Sequence, residues 1–544
     1  MYHTSKHPNN AASHKNIFTL LLAFANIIAL ILSILYLINP ADNIVTNILG
    51  AYLLLILAIN LMAATKDRKF SYGYLIYSAI ISLAIPILNT VTSSAPTNTA
   101  SRSYIAIFLI LFGFLAGFSY LSYGFLSTNN SNPDRQSKSV PNNRLKLAGI
   151  LILWLLSFVV LVSALFVCYL FLSGKDTGIL EVFLPEYSLF FGFYFLAIAV
   201  YAFKLSINRF PILAFGTGVL GMILFILCCL PLFSTPKLLS SANKEYTQAF
   251  GALPETDNSI TPFKNIEFSI PEYLFGTKTG DYSVTENILY YQGTQGVDKG
   301  IKLYFDVYQP AKDSSNLPGK GSALIRIHGG AWNIGDKSAS NYAQVNKYFA
   351  SQGYVVFDIQ YGLNNQDKFV AYAPVPLNVQ GAFTIDDMIR HIGIFSTYLC
   401  DHQDEYGANT DSVFISGGSA GGQLTVAVGL AIANGGYSDI LDSRIKVKGI
   451  IPFYPANGLA NIGGKKELVD PALLVDKNSP PCLIYQGTHD GIVDPQIAKD
   501  LKASYTQNEN SKCALIMMPL ASHGSDFYYS SYYNQVFIYY MERF

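Results

Sequence analysis

Hydrophobic positions fall in long blocks over the amino-terminal part of the chain and in short ones over the rest. Seven stretches, at about 17–38, 45–64, 72–92, 104–126, 147–172, 187–203 and 211–233, are apolar and contain no Asp, Glu, Lys, Arg or His. About 20 apolar residues rising 1.5 Å each cover a hydrocarbon core of about 30 Å, so each stretch predicts a membrane-crossing helix. The weakest are 72–92, which contains Pro86 and Asn89, and 187–203, which is short and bounded by Glu186 and Lys204. Residues 234–281 are rich in Ser, Thr, Pro and aromatics without a clear period, and predict a linker or partial lid. From 282 the period changes. The runs ILYYQG, IKLYFDVYQP, ALIRIHGG, YVVFDIQYG, VFISGG, KGIIPFYP, CLIYQGTHD and ALIMMPLASH alternate with segments long enough for helices. This pattern predicts a mostly parallel sheet covered on both faces.

Composition supports a chain of two unlike halves. Charged residues make up 13% of the 544 positions, against a usual figure of about 25%, and hydrophobic residues make up 51%. Mean hydropathy is +0.30. The zero net charge divides into 13 Lys+Arg and 6 Asp+Glu over 1–235, against 23 and 30 over 236–544. Neither half has a basic patch interleaved with aromatics, which argues against nucleic acid as a partner.

Lys and Arg near helix ends tend to remain cytoplasmic. One set of loops holds Lys6, Lys15, Lys66, Arg68, Lys69, Arg135, Lys138, Arg144, Lys146, Lys204 and Arg209, while the other holds only Arg102 and Lys175. With seven crossings, residues 1–16 become a cytoplasmic tail, 17–233 the bundle, and everything beyond lies on the exoplasmic side, as expected of a multi-pass protein of a plasma (inner) membrane. No small-x-small cleavage signal follows the first stretch, which therefore reads as a retained anchor. Ionisable groups at membrane depth usually mark transport or intramembrane chemistry. Their absence makes the bundle an anchor or lipid-facing platform, with Asn26, Asn47 and Asn60 as interhelical contacts.

The chemistry concentrates in four motifs of the second half. Gly417-Gly418-Ser419-Ala420-Gly421 stands between a strand and a helical run, the setting in which G-x-S-x-G forms a nucleophile elbow. Taken alone, a glycine-rich turn without catalysis explains it equally well. His328-Gly329-Gly330-Ala331-Trp332 ends an earlier strand; the N–H groups of Gly329 and Gly330, with that of Ala420, suit an oxyanion hole. His328 reads as a brace for that loop. Asp490, in Gly487-Thr488-His489-Asp490, is the acid candidate. Asp494 competes, but its place before Pro495 and a helical run marks a helix cap. His523, in Ala521-Ser522-His523-Gly524 after the last strand, is the base candidate, whereas His391 and His402 read as structural. The order Ser, Asp, His, each at a strand's carboxyl end, is the joint signal.

With these motifs the region 282–544 resembles the α/β-hydrolase superfamily, specifically carboxylesterases of the hormone-sensitive-lipase and BD-FAE-like type. The resemblance rests on IHGGAW, SGGSAGG, YQGTHDGIVD and ASHG. It implies an α/β-hydrolase catalytic domain that cleaves a carboxylic ester through an acyl-enzyme on Ser419, with Asp490 and His523 completing a triad and no metal or organic cofactor. Two features depart from the family pattern: Gly418 precedes the nucleophile where Asp, His or Ser is common, and the bundle is foreign to it. The expected substrate is a small-molecule, lipid or acylated-glycan ester met at the bilayer. Acyl transfer to a sugar or lipid hydroxyl, and a non-catalytic receptor or scaffold, are the alternatives. Cys482 and Cys513 should begin neighbouring strands, where a disulfide or two buried thiols would both fit.

Overall fold

The computed structural model describes residues 10–40, 43–66, 70–98, 102–129, 144–175, 178, 182, 184–253, 263–311, 316–338, 342–368 and 370–544. Among the described residues seven long helices come first: α1 (Asn10–Ile38), α2 (Ile44–Ala63), α3 (Ser71–Ser94), α4 (Tyr104–Asn129), α5 (Arg144–Ser173), α6 (Ser188–Ser206) and α7 (Pro211–Phe250). All seven are long and apolar enough to cross a membrane. Pro86 lies inside α3 without ending it, as membrane helices tolerate where neighbours re-satisfy the backbone. α1 takes in residues 10–16 of the expected tail, while Lys6, Arg68, Lys69, Arg135 and Lys138 lie outside the described residues.

Asn26 and Asn60 join α1 to α2 by paired amide bonds of 3.0 and 2.8 Å, and Asn60 also donates to the Tyr74 hydroxyl at 3.1 Å. Asn47 makes its contact outside the seven helices. Its amide donates to Phe268 O and accepts from Ile270 N, both at 2.7 Å, tying α2 to the chain that leads into the second half.

α7 does not stop at 233. It continues to Phe250, through Pro231 and Pro236, because its polar last turns dock on the second domain: Tyr246 donates to Arg543 O and Glu245 pairs with Lys502. The stretch expected as a linker therefore begins as helix, and it also contains α8 (Ile270–Phe275).

Beyond it run β1 (Tyr282–Gln292), β2 (Lys302–Pro310), β3 (Ser322–Ile327), α9 (Tyr342–Ser351), β4 (Val355–Ile359), the short pair β5 (Leu363–Asn364) and β6 (Gln380–Gly381), and α10 (Ile385–Tyr406). Then follow β7 (Asn409–Gly418), α11 (Ala420–Asn434), β8 (Val447–Phe453), α12 (Lys466–Val469), β9 (Cys482–Gly487), α13 (Pro495–Gln507), β10 (Cys513–Met518) and α14 (Tyr532–Met541). Eight strands form one sheet in the order β1-β2-β4-β3-β7-β8-β9-β10. β1 and β2 pair antiparallel and β2 meets β4 antiparallel; the rest are parallel. β4 and β9 are buried along their whole length, as strands covered on both faces must be. α10 begins in a Thr384–Asp387 capping box and ends at Gly407 in the left-handed region.

The two halves meet at one end of the bundle. Lys347 of α9 donates to Ser93 O in the last turn of α3 and to Asn98 O just past it, at 3.0 and 3.1 Å. The Ser188 hydroxyl at the start of α6 meets that of Tyr532 at 2.6 Å, and the Tyr36 ring near the end of α1 lies 6.1 Å from that of Phe275. At the opposite end, Lys204 donates to Lys66 O at 2.8 Å. The helix ends carrying Lys66 and Lys204 thus point away from the sheet domain.

Candidate active site

β7 ends at Gly418 and α11 begins at Ala420, leaving Ser419 between them at φ 58° and ψ −120°. A non-glycine residue in this region is strained and needs its surroundings to hold it. Ser419 N donates to Phe453 O at 3.0 Å, and Ser419 O accepts from Gln423 N at 3.0 Å and Ala456 N at 3.2 Å. The turn packs so closely that a Cβ at Gly421 would lie 2.2 Å from Ile327 O. At Gly418 a Cβ would lie 2.5 Å from the Tyr342 hydroxyl and 3.1 Å from that of Tyr454. This is the physical reason for the departure at 418: two tyrosine hydroxyls already fill the space a side chain would take.

Asp490 stands just past β9 and is buried. Its Oδ2 accepts from His523 Nδ1 at 2.9 Å and from Gln486 Nε2 at 3.1 Å. Its Oδ1 accepts from the backbone N–H of Ile492 and Val493 at 3.1 and 2.8 Å. Four donors fix the carboxylate, which in turn fixes the imidazole, an arrangement that sets the tautomer of a general base. The His523 ring also lies 4.5 Å from that of Tyr454.

His328 to Ile334 forms the facing loop. Gly329 presses on the Ser419 turn, since a Cβ there would lie 2.7 Å from Gly418 O and 3.3 Å from Ser419 Cβ. Gly330 adopts φ 119°, and Ala331 and Trp332 adopt 48° and 62°. Trp332 Nε1 holds the loop to α11 by donating to Gln423 Oε1 at 3.0 Å. The N–H of Ala420 opens α11, where helix donors lack intrahelical partners, beside this glycine-rich turn. His328 is buried, its Nδ1 lies 2.8 Å from Gly329 O, and its ring stacks on Tyr361 at 4.5 Å. Burial pulls its pKa down to about 4, so the ring is a neutral brace.

Ser419, His523, Gly329 and Gly330 line one cavity of about 530 Å³, whose other walls include Val182, Ile334, Val370, Val375, Ile492 and Phe527. This is within the usual size of a small-molecule site. None of its lining residues comes from the described part of 234–281; the wall from outside the catalytic half is Val182.

Behind Ser419 lies a buried polar cluster that the motifs did not reveal. Tyr454 donates to Asp526 at 2.6 Å, Arg326 donates to Ser416 Oγ at 2.6 Å, and the Arg326 guanidinium sits 4.7 Å above the Tyr342 ring. Tyr454 and Asp526 carried a signal, the first at the end of the strand beside the elbow, the second three positions after His523. Tyr342 opens an ordinary helix and carried none.

The remaining candidates are structural. Asp494 caps α13 through Gln496 N. His391 is bound to Asp298 at 3.0 Å, and His402 to Tyr398 O at 2.8 Å. Cys482 and Cys513 are register neighbours on β9 and β10 and are free thiols.

Residues 305–467 match the BD-FAE family, a span that holds Ser419 and the glycine loop and ends before Asp490 and His523. The probable carboxylic ester hydrolase LipM of Mycobacterium tuberculosis is 21% identical over 255 residues, covering 42% of this chain and 54% of that protein. The chain thus spans about half the length of this curated relative. Among solved structures, a phosphonate-inhibited esterase B from Lactobacillus rhamnosis is 19% identical, with 46% of this chain and 80% of that one covered and a TM-score of 0.36. The apo form of Thermogutta terrifontis esterase 2 is 22% identical, with coverages of 45% and 85% and a TM-score of 0.35. The second half of the chain thus combines a mostly parallel eight-stranded sheet with a similarity to the BD-FAE family over 305–467. It is joined to seven helices of membrane-crossing length and composition.

Proposed function

We propose that the protein is a membrane-anchored serine esterase. The observation that carries this reading is the convergence of Ser419, held in its strained turn, and the Asp490–His523 pair on one cavity. Ser419 Oγ bonds to the acyl carbon while its proton passes to His523 Nε2, and Asp490 stabilises the imidazolium. The N–H groups of Gly329, Gly330 and Ala420 hold the carbonyl oxygen as it becomes an oxyanion, each donor contributing about 3–4 kcal/mol in comparable sites. The ester C–O bond then breaks and the alcohol leaves with the proton from His523. Water, deprotonated by the same imidazole, releases the acid and frees Ser419.

Sidedness belongs to the same proposal. The catalytic domain faces the exoplasmic side of a plasma (inner) membrane, with the bundle over 17–233 as anchor and 282–544 as catalytic domain. The 11-to-2 division of Lys and Arg between the two sets of loops supports this, as does the position of Lys66 and Lys204 at the bundle end away from the hydrolase domain.

Ser419→Ala should lower turnover of p-nitrophenyl butyrate about 10,000-fold or more with the thermal midpoint little changed. An undiminished rate would remove Ser419 from the mechanism.

A further inference from the structure

The catalytic cavity has a wall that the hydrolase domain does not supply. Val182, in the connection between α5 and α6, lines it beside His523 and Phe527, and a Cβ added at Gly524 would lie 2.8 Å from Val182 Cγ1. The same connection touches the loop that carries the acid: a Cβ at Gly174, immediately past α5, would lie 3.1 Å from His489 Cα, and His489 precedes Asp490. The loop that carries Asp490 therefore stands against the end of α5. That helix is the least buried of the seven and turns side chains such as Leu155, Phe166 and Tyr169 outward.

Another wall of the cavity is formed by Val370 and residues 373–376. Tyr372 and Leu377 flank it and are 98% and 87% exposed. Among the described residues of the hydrolase domain they are the two most exposed large apolar side chains. Water gives no reason for such exposure beside a cavity walled mainly by apolar side chains. Apolar side chains left uncovered at both ends of one wall of an apolar cavity suit a contact surface, and tyrosine suits the layer between headgroups and acyl chains.

We propose that the site takes its ester from the bilayer leaflet beneath it: an acyl ester of a membrane amphiphile. The carbonyl rises beside the end of α5 to Ser419, the acyl chain enters the apolar cavity past Val182, and Tyr372 and Leu377 rest in the headgroup layer. The inference depends on the hydrolytic reading above and uses the same bond changes, with the lipid alcohol as the leaving group.

The test uses the full-length protein in phosphatidylcholine–phosphatidylglycerol vesicles containing dioleoylglycerol. The same vesicles are assayed with water-soluble p-nitrophenyl acetate and with an O-acetylated oligosaccharide. Fatty acid should be released. The double variant Tyr372→Ser/Leu377→Ser should release it at least tenfold more slowly while cleaving the aryl ester at the wild-type rate, which also shows that the variant is folded. The inference is overturned by aryl-ester cleavage with intact dioleoylglycerol, by preference for the oligosaccharide, or by a double variant that leaves lipid cleavage unchanged or slows both esters equally. Loss of all ester turnover by the wild type would instead remove the hydrolytic reading itself.

Discussion

At the scale of single residues, the site is held by groups whose ionisation is fixed by burial. His328 is the clearest: its ring titrates near 6.5 when free and near 4 in the fold. The fold therefore favours the neutral ring. That stability is complete above pH 6.5 and is lost as pH falls through 4. At about 1.4 kcal/mol per pH unit the loss reaches about 3 kcal/mol at pH 4. Unfolding of wild type and His328→Asn across pH 4–7 should show a shallower dependence for the variant by about this amount; equal slopes would mean that the ring is not buried neutral. The residues legible in the sequence were those whose chemistry demands a fixed local pattern: the glycines around Ser419, the loop after His328, Asp490 at a strand end. Tyr342 and Arg326 were not legible, because what places them beside Gly418 and Ser416 is packing between elements far apart in the chain.

At the scale of elements, periodicity carried most of the information. All seven apolar stretches are helices and all eight β-rich runs are strands of one sheet, since the long apolar blocks match the span of a bilayer and the short runs are rich in β-branched and aromatic residues between turn signals. The carboxyl-terminal part of α7 is harder to read, because its buried stripe of Leu238, Ala242 and Tyr246 is narrow and set among polar residues; Tyr246 and Glu245 find partners on the sheet domain. Asn47 shows the same effect on a smaller scale, since its two bonds go to residues 221 and 223 positions away. Asn47→Leu should leave Phe268 O and Ile270 N without their partner. The expected cost is about 1–3 kcal/mol, read as a lower unfolding midpoint in detergent. An unchanged midpoint would mean that this tie does not hold α2 to the start of α8.

At the scale of the whole molecule, the bundle and the sheet domain share one cavity, with Val182 of the first in the wall of the second. Orientation is then a property of the site as well as of the anchor. The six native cysteines are buried, so a Lys446→Cys variant offers an exposed thiol on the hydrolase domain. A membrane-impermeant maleimide should label it in intact cells; labelling only after permeabilisation would place the catalytic domain in the cytoplasm.

The central claim, that Ser419 is a nucleophile activated by His523 and Asp490, is tested most directly by covalent trapping. Peptide mapping of the folded full-length protein after treatment with a fluorophosphonate should find a single adduct, on Ser419, and the adduct should form far more slowly in His523→Ala. Folded protein that remains unmodified at Ser419, or that is modified equally fast without His523, would contradict the account.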